Sequence, residues 1–142
     1  MKKYLLDTNV ISEIIRPEPN TNVIVWLENQ KETTLFISAI TFGELAKGIA
    51  MLADGKRKVR LLHWLNTEVS YRFNGRILPF DDRAAMLWGE WNGLGIHYGR
   101  SYPILDSQIA AIATRFECVL VTRNIKDIEG LPVESFNPWN KQ

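Results

Sequence analysis

Cysteine is almost absent: Cys118 is the only one among 142 residues, so no disulfide framework exists. It lies in the apolar run Cys118-Val119-Leu120-Val121 and reads as a buried, unreactive thiol. Histidine is nearly as scarce. His63 and His97 are too isolated to make a zinc site, and both read as structural or surface residues. No apolar run approaches the length of a membrane span. The start Met1-Lys2-Lys3 imitates a secretion signal, but the apolar stretch behind it stops at Asp7, so a cytoplasmic protein with no membrane partner is expected. An excess of one charge is missing too. With 17 Lys and Arg against 16 Asp and Glu the net charge is +1, so any contact with nucleic acid must rest on local patches. There is no glycine-rich phosphate loop of the P-loop type and no nucleophile elbow for a serine triad. Internal repeats, low-complexity tracts and long linkers are also lacking. One domain over residues 1–142 is expected, with an ordinary 46% hydrophobic and 23% charged content.

What is present alternates. Short strands are expected at Lys3–Leu6, Leu35–Ser38, Ile77-Leu78, Val119–Thr122 and near Val133–Phe136. Between them the patterning predicts helices near Asn9–Ile15, Thr21–Asn29 and Phe42–Ala53, the third closed by Asp54-Gly55. Further helices are expected at Lys56–Tyr71, from Asp81 or Asp82 to about Trp91, and near Ser107–Phe116. Val59, Leu62, Leu65 and Val69 would form the apolar face of the Lys56–Tyr71 helix, and Gly93, Gly95 and Gly99 would mark a loop. Strands separated by helices imply a central parallel sheet of about five strands covered on both faces. Residues that follow each strand then converge on one edge, where open α/β sheets keep their ligands.

The residues placed there are mostly acids. Asp7 follows the first strand, Glu44 and Asp106 open later helices, and Thr122-Arg123-Asn124 with Asp127 follows the Val119–Val121 run. Each has a structural reading. Asp7 and Asp106 suit helix caps, Thr41 and Glu44 fit a capping box, and Asn124 and Asp127 are usual in turns. Together they point elsewhere, because clustered carboxylates raise one another's pKa values and call for compensation. A hard divalent cation, Mg²⁺ or Mn²⁺, supplies it and can polarise a phosphoryl oxygen.

The stretches "LLDTNVISEI", "SAITFGELAKG", "PILDSQIAAIA" and "LVTRNIKDIEG…VESFNPW", in that order from Lys3 to Trp139, resemble the PIN-domain ribonucleases. The closer likeness is to VapC-type toxins of bacterial toxin–antitoxin pairs. The resemblance implies a single α/β PIN-like domain with an acidic, Mg²⁺-dependent pocket that cuts single-stranded or loop RNA, tRNA being the expected target. It implies that Asp7, Glu44 and Asp106 are catalytic and metal-binding, that Asn124 is catalytic by positioning water or phosphate, and that Thr8, Asn9, Arg123 and Asp127 support them. The fourth acidic position falls near Thr122–Asp127, where Asn124 stands in the turn and Asp127 follows; an amide there brings no charge. It further implies a cognate antitoxin and a homodimer.

RNA contact calls for cations. Lys47, Lys56, Arg57, Lys58 and Arg60 lie along two helices, whereas Arg100, Arg115, Arg123 and Lys126 are expected nearer the acidic edge. Arg123 is the best single candidate for phosphate. Among Trp26, Trp64, Trp88, Trp91 and Trp139 most should be core, and some could line a partner surface. Two other readings compete: a receiver-like regulatory domain, which normally needs an acidic pair beside the first strand, and a catalytically silent PIN scaffold acting as a binding module. A dehalogenase-type phosphatase would need an Asp where Asn9 stands.

Overall fold

The computed structural model describes residues 1–142. Five strands, β1 (Lys3–Leu6), β2 (Leu35–Ser38), β3 (Ile77–Leu78), β4 (Cys118–Val121) and β5 (Ser135–Phe136), form one sheet in the order β3-β2-β1-β4-β5. Every pairing is parallel. The central pair is in register from Lys3–Cys118 to Leu6–Val121. The order reverses between β1 and β4, which makes the end of that pair the switch point where a crevice opens. A receiver-like domain has the order 2-1-3-4-5, so this sheet sets that reading aside.

Six helices cover the sheet: α1 (Thr8–Ile14), α2 (Thr21–Glu28), α3 (Ala39–Ala50), α4 (Lys56–His63, continued by a π-helical stretch Trp64–Val69 and a last turn Ser70–Arg72), α5 (Asp82–His97) and α6 (Ile104–Arg115). Alternation along the strands sorts the core into two layers. Leu6, Leu35, Ile37 and Val121 face α1 to α4, meeting Val10, Trp26, Leu45 and Val69. Leu5 and Leu120 face α5 and α6, meeting Trp91, Ile109 and Ile112.

Several boundaries differ from expectation, each for a physical reason. The N-cap of α3 is Ser38, whose Oγ accepts the Thr41 N–H at 3.0 Å. Glu44 therefore lies in the second turn rather than at the opening, and no Thr41–Glu44 capping box forms. The same helix stops at Ala50, where Lys58 Nζ covers the open carbonyl at 3.3 Å, and Gly55 instead precedes α4. Within α4 the apolar face runs Leu61, Leu65, Val69, Phe73. Steps of four suit the wider π turn, and they leave Val59 68% and Leu62 46% exposed, off the core.

Asp81 caps α5, accepting the Ala84 N–H at 2.9 Å. The helix runs on to His97 through Gly93 and Gly95, which are not loop residues. Only Gly99, at φ 70°, takes the left-handed conformation that ends a helix. Gly95 is inside the helix because the chain folds back onto it: a Cβ there would lie 2.8 Å from Arg100 O and 3.1 Å from Tyr102. Finally α6 begins at Ile104, so Asp106 sits in its first turn and caps nothing.

Two glycines of α5 should therefore respond oppositely to alanine. Gly95→Ala forces backbone apart and should destabilise by about 1–3 kcal/mol, whereas nothing crowds Gly93 and Gly93→Ala should stabilise by about 0.5–1 kcal/mol. Urea unfolding of both variants measures the contrast.

Candidate active site

At the switch point the chain turns sharply from β1 into α1, and Asp7 is the residue that makes the turn. Its N–H extends the sheet ladder to Val121 O at 2.9 Å. Its side chain, 5% exposed, caps α1: one carboxylate oxygen accepts the Thr8 N–H at 2.8 Å. The other accepts the Thr122 hydroxyl at 2.6 Å. Thr122 Oγ1 in turn accepts the Asn124 N–H at 3.0 Å and the Asn9 amide at 3.4 Å. Asp7 is thus both cap and site residue, and Asn9 supports it at one remove.

Across the crevice Thr8 donates its hydroxyl to Glu44 at 2.6 Å and lies 3.1 Å from Thr41 Oγ1. Glu44 is committed to the site rather than to its own helix. Asp106 completes the arc from the first turn of α6. Burial first of all, then the charges of Asp7 and Asp127, a hydrogen bond shared with Asp127 and the charge of Glu44 push its carboxyl up to about 7. Burial also raises Asp7, reinforced by Glu44 and Asp127, while the bonds from Thr122 and Thr8 hold it down.

Asp7, Thr8, Asn9, Glu44, Asp106, Arg123 and Asn124 line one open pocket of about 360 Å³. Asp127 lies beside it in an adjoining hollow bounded by Arg123 and Asn124. The fourth negative charge is therefore Asp127, acting on both Asp7 and Asp106, and the amide of Asn124 does not leave that quarter uncharged. None of the four acids pairs with a basic side chain.

Two expected cations fall away. Arg115 is in the last turn of α6, far from the edge, paired with Asp81 at 3.1 Å and stacked on Phe116. Arg100 bonds the Glu129 carbonyl and stacks on Tyr102. Arg123 remains at the pocket, joined there by Arg16, Ser12, Glu13 and Trp139, which sequence reasoning did not assign to the site. Glu13 resembles a further acid, but it is buried and spent on Arg16 at 3.2 Å and the Asn20 N–H at 2.8 Å, which hold the α1–α2 turn. Thr122, expected at this edge but given no role there, is the residue that fixes the Asp7 carboxylate.

The donor set suits a hydrated hard cation. No three carboxylates close tightly enough to cage an ion by themselves, but Mg²⁺ needs only one or two and keeps several waters. Asn9 Oδ1, buried in the same corner, has no hydrogen-bond partner, so an acceptor is left over where water or a cation would be met.

Residues 4–129 match the PIN domain family model. The chain belongs to the PIN domain family. Over 136 residues this PIN domain protein is 38% identical to Toxin FitB of Neisseria gonorrhoeae, covering 96% of this chain and 98% of that one. It is 36% identical over 135 residues to VapC ribonuclease Y4jK of Sinorhizobium fredii, covering 95% and 96%. Its fold matches the crystal structure of FitAcB from Neisseria gonorrhoeae with a TM-score of 0.91, at 38% identity over 97% of this chain and 99% of that one. DNA-bound VapBC from Salmonella typhimurium matches with a TM-score of 0.77 at 25% identity, over 99% and 100%.

The raised carboxyls set a pH dependence in the PIN domain. A folded-state pKa above the unfolded value means that the native state holds more protons, so stability falls as pH rises. For Asp106 the fall spans the window from about 4, its unfolded value, to about 7. Metal-free protein should melt lower at pH 8 than at pH 5.5. Asp106→Asn should flatten that slope and melt above the parent at pH 8, which calorimetry in EDTA reads directly.

Proposed function

We propose that this PIN domain protein is a metal-dependent endoribonuclease toxin restrained by a cognate antitoxin. The observation that carries the reading is the convergence of Asp7, Glu44 and Asp106 on an open pocket, with Asp127 acting on the two aspartates from the adjoining hollow and no cationic partner for any of the four. Relatives that are a VapC ribonuclease and a FitB toxin support it. A silent scaffold would have no use for four repelling acids, two of them, Asp7 and Glu44, held in place by dedicated hydroxyls.

Mg²⁺ or Mn²⁺ bound here would balance the carboxylates and polarise a phosphoryl oxygen. Asp7 and Asp106 are the residues to hold it, directly or through water. Glu44, with one oxygen fixed by Thr8, binds it or orients the attacking water as general base. Asn124 positions water or phosphate, and Arg123 contacts the RNA backbone. The water oxygen attacks phosphorus in line and gives its proton to the base. The P–O3′ bond breaks and the departing oxygen takes a proton from solvent, leaving a 5′-phosphate and a 3′-hydroxyl. Single-stranded or loop RNA is the substrate, tRNA the expected one, and the cytoplasm the place of action.

A groove of about 210 Å³ continues from the pocket, sharing Thr8, Ser12 and Glu44 and walled by Leu45, Leu61 and Trp64. It suits an antitoxin segment that lays apolar side chains in the groove and an Arg or Lys among the acids. Leu94, Ile96, Tyr98 and Ile104, all exposed around the end of α5, offer an apolar face for a homodimer.

Cleavage of total cellular RNA with Mg²⁺ or EDTA, followed by end mapping, tests the reading. Activity should vanish in EDTA, and robust cleavage there by nuclease-free protein would overturn the metal mechanism. Asp7→Asn should abolish toxicity at equal expression. Because Ser38 already caps α3, Glu44→Gln should leave the EDTA melting point at or above the parental value while activity drops roughly 10²-fold or more.

A further inference from the structure

Arg123 lines the same pocket as Asp7, Glu44 and Asp106, yet it pairs with none of them. A guanidinium beside unpaired carboxylates ordinarily folds onto them in a charge-assisted bond. Here it lies instead over the Trp139 ring, 5.3 Å from the centroid. That ring is not free to follow its guest. The Trp139 backbone N–H donates to Asn137 Oδ1 at 2.9 Å, and its carbonyl accepts the Asn22 amide from α2 at 2.9 Å. Its indole also packs on the core layer under α1 to α4. The chain beyond β5 is thus bracketed to α2, with an aromatic face presented at the mouth of the acidic pocket.

We infer that Trp139 is a positioning residue: it holds Arg123 outward, off the carboxylates and toward an RNA phosphate. The inference rests on the nuclease reading above. Its chemistry is a competition for one guanidinium. Against the acids Arg123 would cancel the charge that a divalent cation needs, and it would no longer be available to phosphate. On Trp139 it keeps its hydrogen-bonding edge exposed, since stacking uses only the guanidinium face. One aromatic ring therefore protects two affinities at once.

The test uses the full chain with Trp139→Phe, which keeps a π face, and Trp139→Met, which fills apolar space without one. Three quantities are read: Mn²⁺ affinity by electron paramagnetic resonance, affinity for a fluorescent single-stranded oligoribonucleotide in EDTA at low salt, and melting temperature. Trp139→Met should weaken both affinities about three- to tenfold, the scale of a cation–π contact, and Trp139→Phe should stay near the parent. In an Arg123→Gln background Trp139→Met should change neither further, and its Mn²⁺ affinity should return to the parental range while RNA affinity stays low. Equal losses with and without Arg123, or equal losses in the Phe and Met variants, would reduce Trp139 to core support and overturn the inference. Should Trp139→Met fail to fold, Arg123→Lys replaces it, because it keeps the charge and loses the planar stack; unchanged affinities there would equally overturn it. If the parent binds neither Mn²⁺ nor RNA, the nuclease reading itself fails and this inference with it. If the parent binds both and only the coupling is missing, the inference alone falls.

Discussion

Mutual repulsion among Asp7, Glu44, Asp106 and Asp127 is the constraint around which the rest of the molecule is arranged. Flexible acids would relieve it by moving apart, so each is mounted on something stiff: the end of β1, the second turn of α3, the first turn of α6 and the turn behind β4. Hydroxyls do the remaining work. Thr122 holds Asp7, Thr8 holds Glu44, and the buried Thr41 and Ser38 stand behind Thr8. A hydroxyl can direct a carboxylate without neutralising it, which a lysine or arginine could not do. Hydrogen bonds to charged groups contribute about 1.5–3 kcal/mol each, enough to fix orientation while the net charge survives.

The strand order sets where this can happen. With β1 and β4 side by side and the chain reversing between them, the loops after both strands splay to opposite faces and leave a crevice at their common end. Asp7 and Thr122 face each other across it, and their bond ties residues 115 positions apart. The two basic residues that line the pocket are occupied elsewhere: Arg16 on Glu13 and Arg123 over the Trp139 ring. The pocket stays acidic because its nearest cations already have partners.

Much of this was legible in the residues. The strands stood out because short apolar runs ended at Asp7, Ser38 and Thr122, and the acids behind them could be placed on one edge by topology alone. What stayed hidden was decided by tertiary contact. Ser38 and Thr41 both satisfy the local rule for a cap; Ser38 takes it by accepting the Thr41 N–H, and Glu44 is drawn to Thr8 across the crevice. Gly93 and Gly95 read as loop because helices avoid glycine; the fold-back of Arg100 and Tyr102 onto Gly95 is invisible along the chain. On the face of α4 Leu65 and Val69 were read rightly, but Val59 and Leu62 were not, because a π turn changes the period mid-helix. Arg115 was placed near the acids by its number, although a helix of 12 residues carries its two ends roughly 18 Å apart.

Asp7 answers to two trades at once. An ionised carboxylate offers about four lone-pair directions, and the Thr8 N–H and the Thr122 hydroxyl each occupy one, on different oxygens. Whatever arrives from the pocket can approach only along the directions that folding has left vacant. The helix start and the reaction centre therefore draw on the same pair of atoms. An alanine at this position would erase both trades together, and its phenotype could not be divided between them.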